Sequence, residues 1–337
     1  MANINRQVVL TELPSGTLTE DLFELREGPM PEPADGEVLC RTLLLSIDAA
    51  NRAWMQGATY REAISGGDIM AGFALAQVVS SRSSAFQSGE IVEADAGWQD
   101  FSVHPARSLT KVNVRAPLST HMSAIGITGL TAYFGLLRVG RPVAGETVLV
   151  SAAAGATGNV VGQLAKNAGC RVVGVVGRTE KADFLRGELG FDAVISHRDP
   201  DFRGALKAAC PHGIDIYFDN TGGPVLEATL FRMNVHGRIV CCGVVSQYDT
   251  ATPSPGPRGV PGLLVTKRIR MEGFLVMDFF ADRRAAEDEL LAAIETGRLK
   301  VVVDTAEGLE RAPHALVGLL AGDNIGKRLV HVADVTG

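Results

Sequence analysis

Val150-Ser-Ala-Ala-Ala-Gly155-Ala-Thr-Gly158-Asn-Val-Val-Gly162 is a run of small residues set between an apolar strand and an amphipathic helix. Thr147–Ser151 (TVLVS) is short and continuously apolar, as buried parallel strands are. Ala156–Ala168 then carries helical periodicity through Val160, Val161, Leu164 and Ala165. A strand that turns through glycine straight into a helix gathers unpaired N–H groups and a partial positive charge at one point, which suits a pyrophosphate. Small residues at Gly155, Ala156, Thr157 and Gly158 let the backbone come close to such a ligand, and Gly162 permits close helix–strand packing. The plain alternative is a tight βα turn with no ligand. A second strand at the right distance favours the dinucleotide reading.

That second strand, Arg171–Val176, opens a regular alternation. Helices are expected over Lys181–Leu189, Gly204–Cys210 and Pro224–Met233, and strands over Ala193–Ser196, Ile214–Asp219 and Gly237–Cys242. Such alternation implies right-handed βαβ units and a parallel sheet covered on both faces. Residues 1 to about 127 have another texture: short strands such as Glu37–Ser46, Ala76–Ser80 and Glu90–Ala94 between turn residues, suiting a compact barrel or sandwich. Ala124–Leu137 reads as an apolar helix and Thr252–Gly262 as an irregular Pro/Gly loop. Arg268–Leu275 reads as a strand and Ala281–Thr296 as a helix, while the tail from Leu299 alternates into a last strand, Lys327–Val332. A length of 337 residues suits two domains.

A net charge of −6 with scattered basic residues shows no nucleic-acid footprint. No apolar run approaches the roughly 20 residues that span a bilayer, and the N-terminus reads as a strand entry rather than a signal peptide. The five cysteines, Cys40, Cys170, Cys210, Cys241 and Cys242, are odd in number and include an adjacent pair. They read as reduced thiols of a cytoplasmic protein. No C-x-x-C and no His/Cys group at zinc spacing is present, so no metal is expected.

The end of the second strand points to the cofactor. An NAD site usually carries Asp or Glu there; this chain has Gly177-Arg178-Thr179-Glu180-Lys181. Arg178 and Lys181 suit a 2′-phosphate, which makes NADP(H) the expected cofactor. The alternative is a solvated helix start. Hydride transfer then needs a group that polarises or protonates the substrate. Tyr133 and Tyr217 look like packing residues, whereas Tyr248 follows the carboxyl end of a parallel strand, where ligands bind. Tyr248 is the candidate acid; the alternative is a loop tyrosine that only packs.

These residues resemble the zinc-free medium-chain dehydrogenase/reductases of the prostaglandin reductase, alkenal double-bond reductase and curcumin reductase type. The likeness runs nearly end to end through Ser46-Ile-Asp48-x-x-x-Arg52, Gly97-Trp-Gln99, Gly126-x-Thr-Gly-Leu-Thr-Ala-Tyr-Phe-Gly135 and the Ala152–Lys166 turn and helix. It continues through Tyr217-Phe-Asp-Asn-x-Gly-Gly223, Cys242-Gly243, Gln247-Tyr248, Met271-Glu-Gly-Phe274 and Asn324-x-Gly-Lys327. The resemblance implies a GroES-like substrate domain from residues 1–127 and 300–337, with a Rossmann NADP-binding domain, 128–299, inserted. It implies NADPH-dependent reduction of the C=C bond of α,β-unsaturated aldehydes or ketones, and usually a homodimer. Carried over, Gly155 to Gly158 hold the pyrophosphate and Lys181 the 2′-phosphate. Asn220, Cys242, Gly243, Phe274, Val276 and Asn324 line the cofactor, and Tyr248 sits near the nicotinamide.

The chain departs from the family's usual pattern at Ala49-Ala-Asn51 and after Tyr60, which places Asn51 and Tyr60 at the expected substrate pocket. His197 stands where a tyrosine often meets the 2′-phosphate; it either bonds a phosphate oxygen or is a surface histidine. Quinone reduction is the alternative activity, and a non-catalytic NADPH sensor is the reading from another class.

Overall fold

Turn residues divide the first third of the chain into strands of two to ten residues. These are β1 (Ile4–Leu10), β2 (Phe23–Pro29), β3 (Glu37–Ser46), β4 (Ala74–Ser81), β5 (Ile91–Ala94), β6 (Phe101–Pro105) and β7 (Thr110–Lys111), with short helices α1 (Ala49–Ala53) and α2 (Leu118–His121). The structure, a computed structural model, describes residues 4–59, 61–253 and 255–336. β1 and β2 form an antiparallel pair, and β3 is a shared neighbour of β4 and β6. Val38, Cys40 and Leu45 of β3 join Met70, Trp54 and Trp98 in one apolar cluster.

The middle of the chain alternates as its periodicity predicts. α3 (Ile127–Phe134) leads to β8 (Thr147–Val150), α4 (Ala156–Asn167), β9 (Arg171–Val176), α5 (Lys181–Gly187), β10 (Ala193–Ser196) and α6 (Phe202–Ala209). β11 (Ile214–Asp219), α7 (Gly223–Arg232), β12 (Met233–Cys241), α8 (Val260–Lys267), β13 (Arg270–Gly273) and α9 (Arg283–Glu295) follow. The six strands lie in the order β10-β9-β8-β11-β12-β13, parallel at every pairing. This is the doubly wound Rossmann order, and it reverses between β8 and β11, where ligands of such sheets settle. Helices cover both faces, so Val148, Leu149 and Val150 of β8 and Ile216, Tyr217 and Phe218 of β11 are 0% exposed. Each such aliphatic or Phe side chain stabilises the fold by about 1.5–3 kcal/mol.

The chain then adds β14 (Val303–Glu307), α10 (Ala312–Ala321) and β15 (Lys327–His331), which complete a sheet ordered β14-β15-β3-β4-β5-β7 with β6 paired to β3. The residues group into two units. One is Met1–Met122 with Val303–Asp323 and Arg328–Gly337; the other is Ser123–Val302 with Asn324–Lys327. Among the described residues no helix is long and apolar enough to cross a membrane.

Several elements differ from the sequence reading: β12, for one, begins at Met233, four residues before the strand expected from Gly237. The Pro/Gly loop ends early, because α8 starts at Val260 behind a left-handed Gly259. Pro261 sits in its first turn, where a missing N–H costs nothing. The expected strand from Arg268 accordingly begins only at Arg270, since Arg268 caps α8 in the left-handed region. α10 interrupts the tail that looked like alternating strand. Its sequence, APHALVGLLA, is apolar nearly all round, and neither period stands out until Ala312, Ala315 and Leu316 are seen facing the core.

Candidate cofactor and active site

The turn between β8 and α4 is built on close backbone approach. Ala152 adopts φ 49°, and Gly155 N–H donates to its carbonyl at 2.9 Å. A Cβ on Gly158 would stand 2.4 Å from the Ala152 oxygen and 2.9 Å from the Ala153 Cα, so α4 rests directly on the turn. Gly162 has a different reason from the helix–strand contact expected: a Cβ there would stand 2.0 Å from Cζ of Phe191, so the ring fills the gap. Asn159 Nδ2 donates to the Gly155 and Ala156 carbonyls at 2.7 and 2.9 Å. The segment before β15 closes on the same turn, with Gly326 N–H donating to the Ala154 carbonyl at 2.7 Å. The first N–H groups of α4 have no intrahelical acceptor and face the carboxyl edge of the sheet, as an anion site requires.

Gly158→Ala is therefore expected to lower stability by about 1–3 kcal/mol, the usual range for overpacking against backbone, and to weaken dinucleotide binding with it. Urea denaturation and NADPH titration of the variant check this. Wild-type values in both would show that the turn yields.

Beyond β9 and β10 lies an open hollow of about 570 Å³, lined by Gly177, Arg178, Thr179, Glu180, Ser196, Arg198, Asp199 and Pro200. Two guanidinium groups thus meet where two neighbouring parallel strands end. Arg198 was visible in the sequence only as the neighbour of His197; its signal was a cation just past the third strand of the sheet. His197 stays open to solvent on one side, and a Cβ on Gly177 would stand 3.2 Å from its Nε2. Partial burial of the ring, and then the charge of Arg198, push its pKa below 6.5. At pH 7 it is neutral, so the positive charge here belongs to the arginines.

Lys181, the first residue of α5, is not in that lining. Its Nζ donates to the backbone carbonyl of Asn324 at 2.5 Å, tying α5 to the segment that closes on the glycine turn. Asn324 is buried, and its amide donates to the Gly326 carbonyl at 2.8 Å.

On the other side of the sheet's switch point, Asn220 follows β11. Its N–H donates to Ser151 Oγ at 2.9 Å and its Nδ2 to the Ser151 carbonyl at 2.7 Å. Cys242 and Gly243 follow β12, and both donate N–H to the Asp219 carbonyl, at 2.8 and 3.1 Å. A short 3₁₀ turn, Val245–Gln247, then delivers Tyr248. The phenol is partly buried; burial raises its pKa above 10.0, and a hydrogen bond with the Val244 backbone offsets part of the rise. Tyr248 thus holds its proton through the neutral range. Phe274 packs edge-on to Phe279 at 6.3 Å, and Val276 is buried.

Tyr133 donates to Glu289 at 2.7 Å, and Tyr217 is wholly buried with its hydroxyl on Asp219 at 2.7 Å; both lie inside the packing. Asn51 does not offer its amide to a ligand. It is 1% exposed, its Oδ1 accepts from Asp48 N–H at 2.7 Å and its Nδ2 donates to the Ala71 carbonyl at 2.9 Å, closing the first turn of α1. Tyr60 lies outside the described residues.

All five cysteines are unpaired. Burial, then the charge of Asp219, pushes Cys242 up to about 12 and Cys241 to about 11. Since the thiolate is the nucleophile, only ~10⁻⁴ of Cys242 and ~10⁻³ of Cys241 is reactive at pH 8. Native protein held briefly with N-ethylmaleimide is expected to keep both thiols intact, while urea-unfolded protein takes up five adducts. Mass spectrometry reads the result, and an adduct on native Cys242 would contradict it. Among the described residues no group of three or more His, Cys, Asp or Glu is arranged to hold a metal ion.

Comparisons with known proteins agree with this architecture. Residues 6–112 match the family model described as N-terminal domain of oxidoreductase, and residues 156–295 the one described as zinc-binding dehydrogenase. The chain is 40% identical to the 2-alkenal reductase (NADP(+)-dependent) of Nicotiana tabacum, over 98% of each chain. It is 41% identical to prostaglandin reductase 1 of Mus musculus, over 94% of this chain and 95% of that one. The crystal structure of CurA in complex with NADPH from Vibrio vulnificus superposes with a TM-score of 0.92 at 37% identity, covering 98% of this chain and 99% of the other. The chain belongs to the medium-chain dehydrogenase/reductase family, in the branch that holds the prostaglandin, 2-alkenal and curcumin reductases.

Proposed function

We propose that this protein is an NADPH-dependent reductase of the C=C bond in α,β-unsaturated aldehydes and ketones. The observation that carries the reading is the gathering of the Gly155–Gly158 turn, the arginine-lined hollow and Tyr248 along one carboxyl edge of a Rossmann sheet. The residues fit the cofactor. Backbone N–H groups from Ala156 to Gly158 face its pyrophosphate, and Arg178 and Arg198, with neutral His197 beside them, meet the 2′-phosphate. Lys181 and Asn324 hold the closing segment, and Asn220, Cys242, Gly243, Phe274 and Val276 shape the nicotinamide side. When bound, NADPH supplies a hydride to the β-carbon of the substrate. Tyr248, protonated at working pH, supplies the proton that the resulting enolate needs. The substrate class rests on relatives of about 40% identity whose names are 2-alkenal, curcumin, prostaglandin and pulegone reductase.

We assign residues 128–299 to cofactor binding and residues 1–127 with 300–337 to the substrate. A cytoplasmic homodimer fits the unpaired cysteines and the open edge of the parallel sheet at β13, near which Val235 and Val265 are exposed at 52% and 74%. Oxidation of NADPH at 340 nm, with enals, enones and quinones in parallel and NADH as control, tests the activity. Saturated C=C products with NADPH preference are expected. Turnover of quinones alone would replace the reading with quinone reduction, and binding without any oxidation would leave a sensor.

A further inference from the structure

Asp219 ends β11 with its side chain only 2% exposed. A single oxygen, Oδ1, collects its hydrogen bonds: the Tyr217 hydroxyl at 2.7 Å, Gly222 N–H at 2.8 Å, Thr221 N–H at 3.0 Å, and the Thr221 and Ser151 hydroxyls at 3.4 Å. The two backbone donors lie at the entry to α7, where the helix dipole favours a negative charge. Burial raises the carboxyl pKa and the Gly222 N–H draws it back.

What this carboxylate holds is the 220–222 turn, and the turn in turn holds the loop after β12. Val245 N–H donates to the Asn220 carbonyl at 3.2 Å, and Ser246 N–H and Oγ donate to the Thr221 carbonyl at 3.1 and 2.6 Å. Cys242 and Gly243 bond the Asp219 carbonyl, and Tyr248 N–H bonds the Val245 carbonyl at 3.2 Å. A Cβ on Gly222 would stand 2.9 Å from Val244, so the two loops also touch. From the Asp219 carboxylate to the Tyr248 backbone the chain of contacts is unbroken.

We infer that Asp219 is the positioning residue of the nicotinamide side, setting Asn220 and Tyr248 in place through the 220–222 turn and the 242–248 loop. This rests on the proposed reading of Asn220 and Tyr248. Charge-assisted bonds are roughly twice as strong as neutral ones, so a neutral amide leaves the turn in place but loosens it.

The test pairs Asp219→Asn with Ser246→Ala, whose side chain is exposed and whose loss does not threaten folding. The readouts are kcat with an enone, NADPH affinity by fluorescence, and affinity for 2′,5′-ADP, a fragment with no nicotinamide half. Asp219→Asn is expected to lower kcat at least tenfold and weaken NADPH several-fold, with 2′,5′-ADP within twofold of wild type. Ser246→Ala is expected to lower kcat three- to tenfold with the same split. A parallel loss of 2′,5′-ADP and NADPH, or a folded Asp219→Asn with wild-type kcat and NADPH affinity, would overturn the inference. If Asp219→Asn does not fold, Ser246→Ala decides alone, and an unchanged kcat and NADPH affinity overturns it. If wild-type protein turns over no enone, the substrate reading fails while the split between NADPH and 2′,5′-ADP still judges Asp219.

Discussion

Tyr248→Phe is expected to lower turnover about a hundredfold, the low end for loss of a general acid, with NADPH affinity within twofold of wild type. The phenol lies just past β12, on a loop tied by backbone hydrogen bonds, so the substitution removes only the hydroxyl and its bond to the Val244 backbone. Phe keeps the ring and its packing, so the loop survives. The pH profile provides a second check. With its pKa raised above 10.0, the phenol stays protonated up to that pH and deprotonates beyond it. Wild-type turnover should therefore be flat through the neutral range and fall only on the alkaline side, and the fall should vanish in the variant. Turnover by Tyr248→Phe equal to wild type would assign the proton to water or to a ribose hydroxyl.

The second large effect concerns the choice of cofactor. Arg178→Ala with Arg198→Ala is expected to weaken NADPH about a hundredfold and NADH less than threefold. A hydrogen bond to a charged group contributes about 1.5–3 kcal/mol. The hollow is open and Arg178 and Arg198 are exposed, so the low end applies. Two such bonds then amount to about 3 kcal/mol, or about two decades in Kd. NADH has no 2′-phosphate and loses little. Lys181→Ala separates two roles for that residue. If its ammonium leaves the Asn324 carbonyl for the phosphate, NADPH suffers far more than NADH. If it remains a tie to the closing segment, both weaken together. Fluorescence titration of the three proteins with each cofactor reads every case, and equal loss of both cofactors in the double arginine variant would falsify the arginine reading.

The parallel half of the molecule was legible because its physics is local. A strand buried on both faces is apolar through its centre, as Val148–Val150 of β8, Val172–Val176 of β9 and Ile216–Phe218 of β11 are, and a helix over such a sheet must repeat every three to four residues. The glycine turn, the lack of an acidic residue at the very end of β9, where Gly177 and Arg178 stand, and a tyrosine just past β12 are likewise readable within a few residues. α10 and the start of α8 were not legible. An all-apolar helix has no polar face to mark its period, and a proline reads as a break until the helix after it is seen.

The site divides the same way. Sequence alone determined the alternation of strands and helices, the glycine turn after β8 and the cations beyond β9, because each is written in the residues that form it. Only the tertiary structure brought Arg198 beside Arg178, turned Asn51 inward as a helix cap, set Lys181 on the Asn324 carbonyl, and buried the Asp219 carboxylate under the 220–222 turn. The meeting of the two arginines, and of Asp219 with Ser151, depends on neighbouring strands lying side by side. A parallel sheet of order β10-β9-β8-β11-β12-β13 creates that adjacency through pairing, which no stretch of chain specifies by itself.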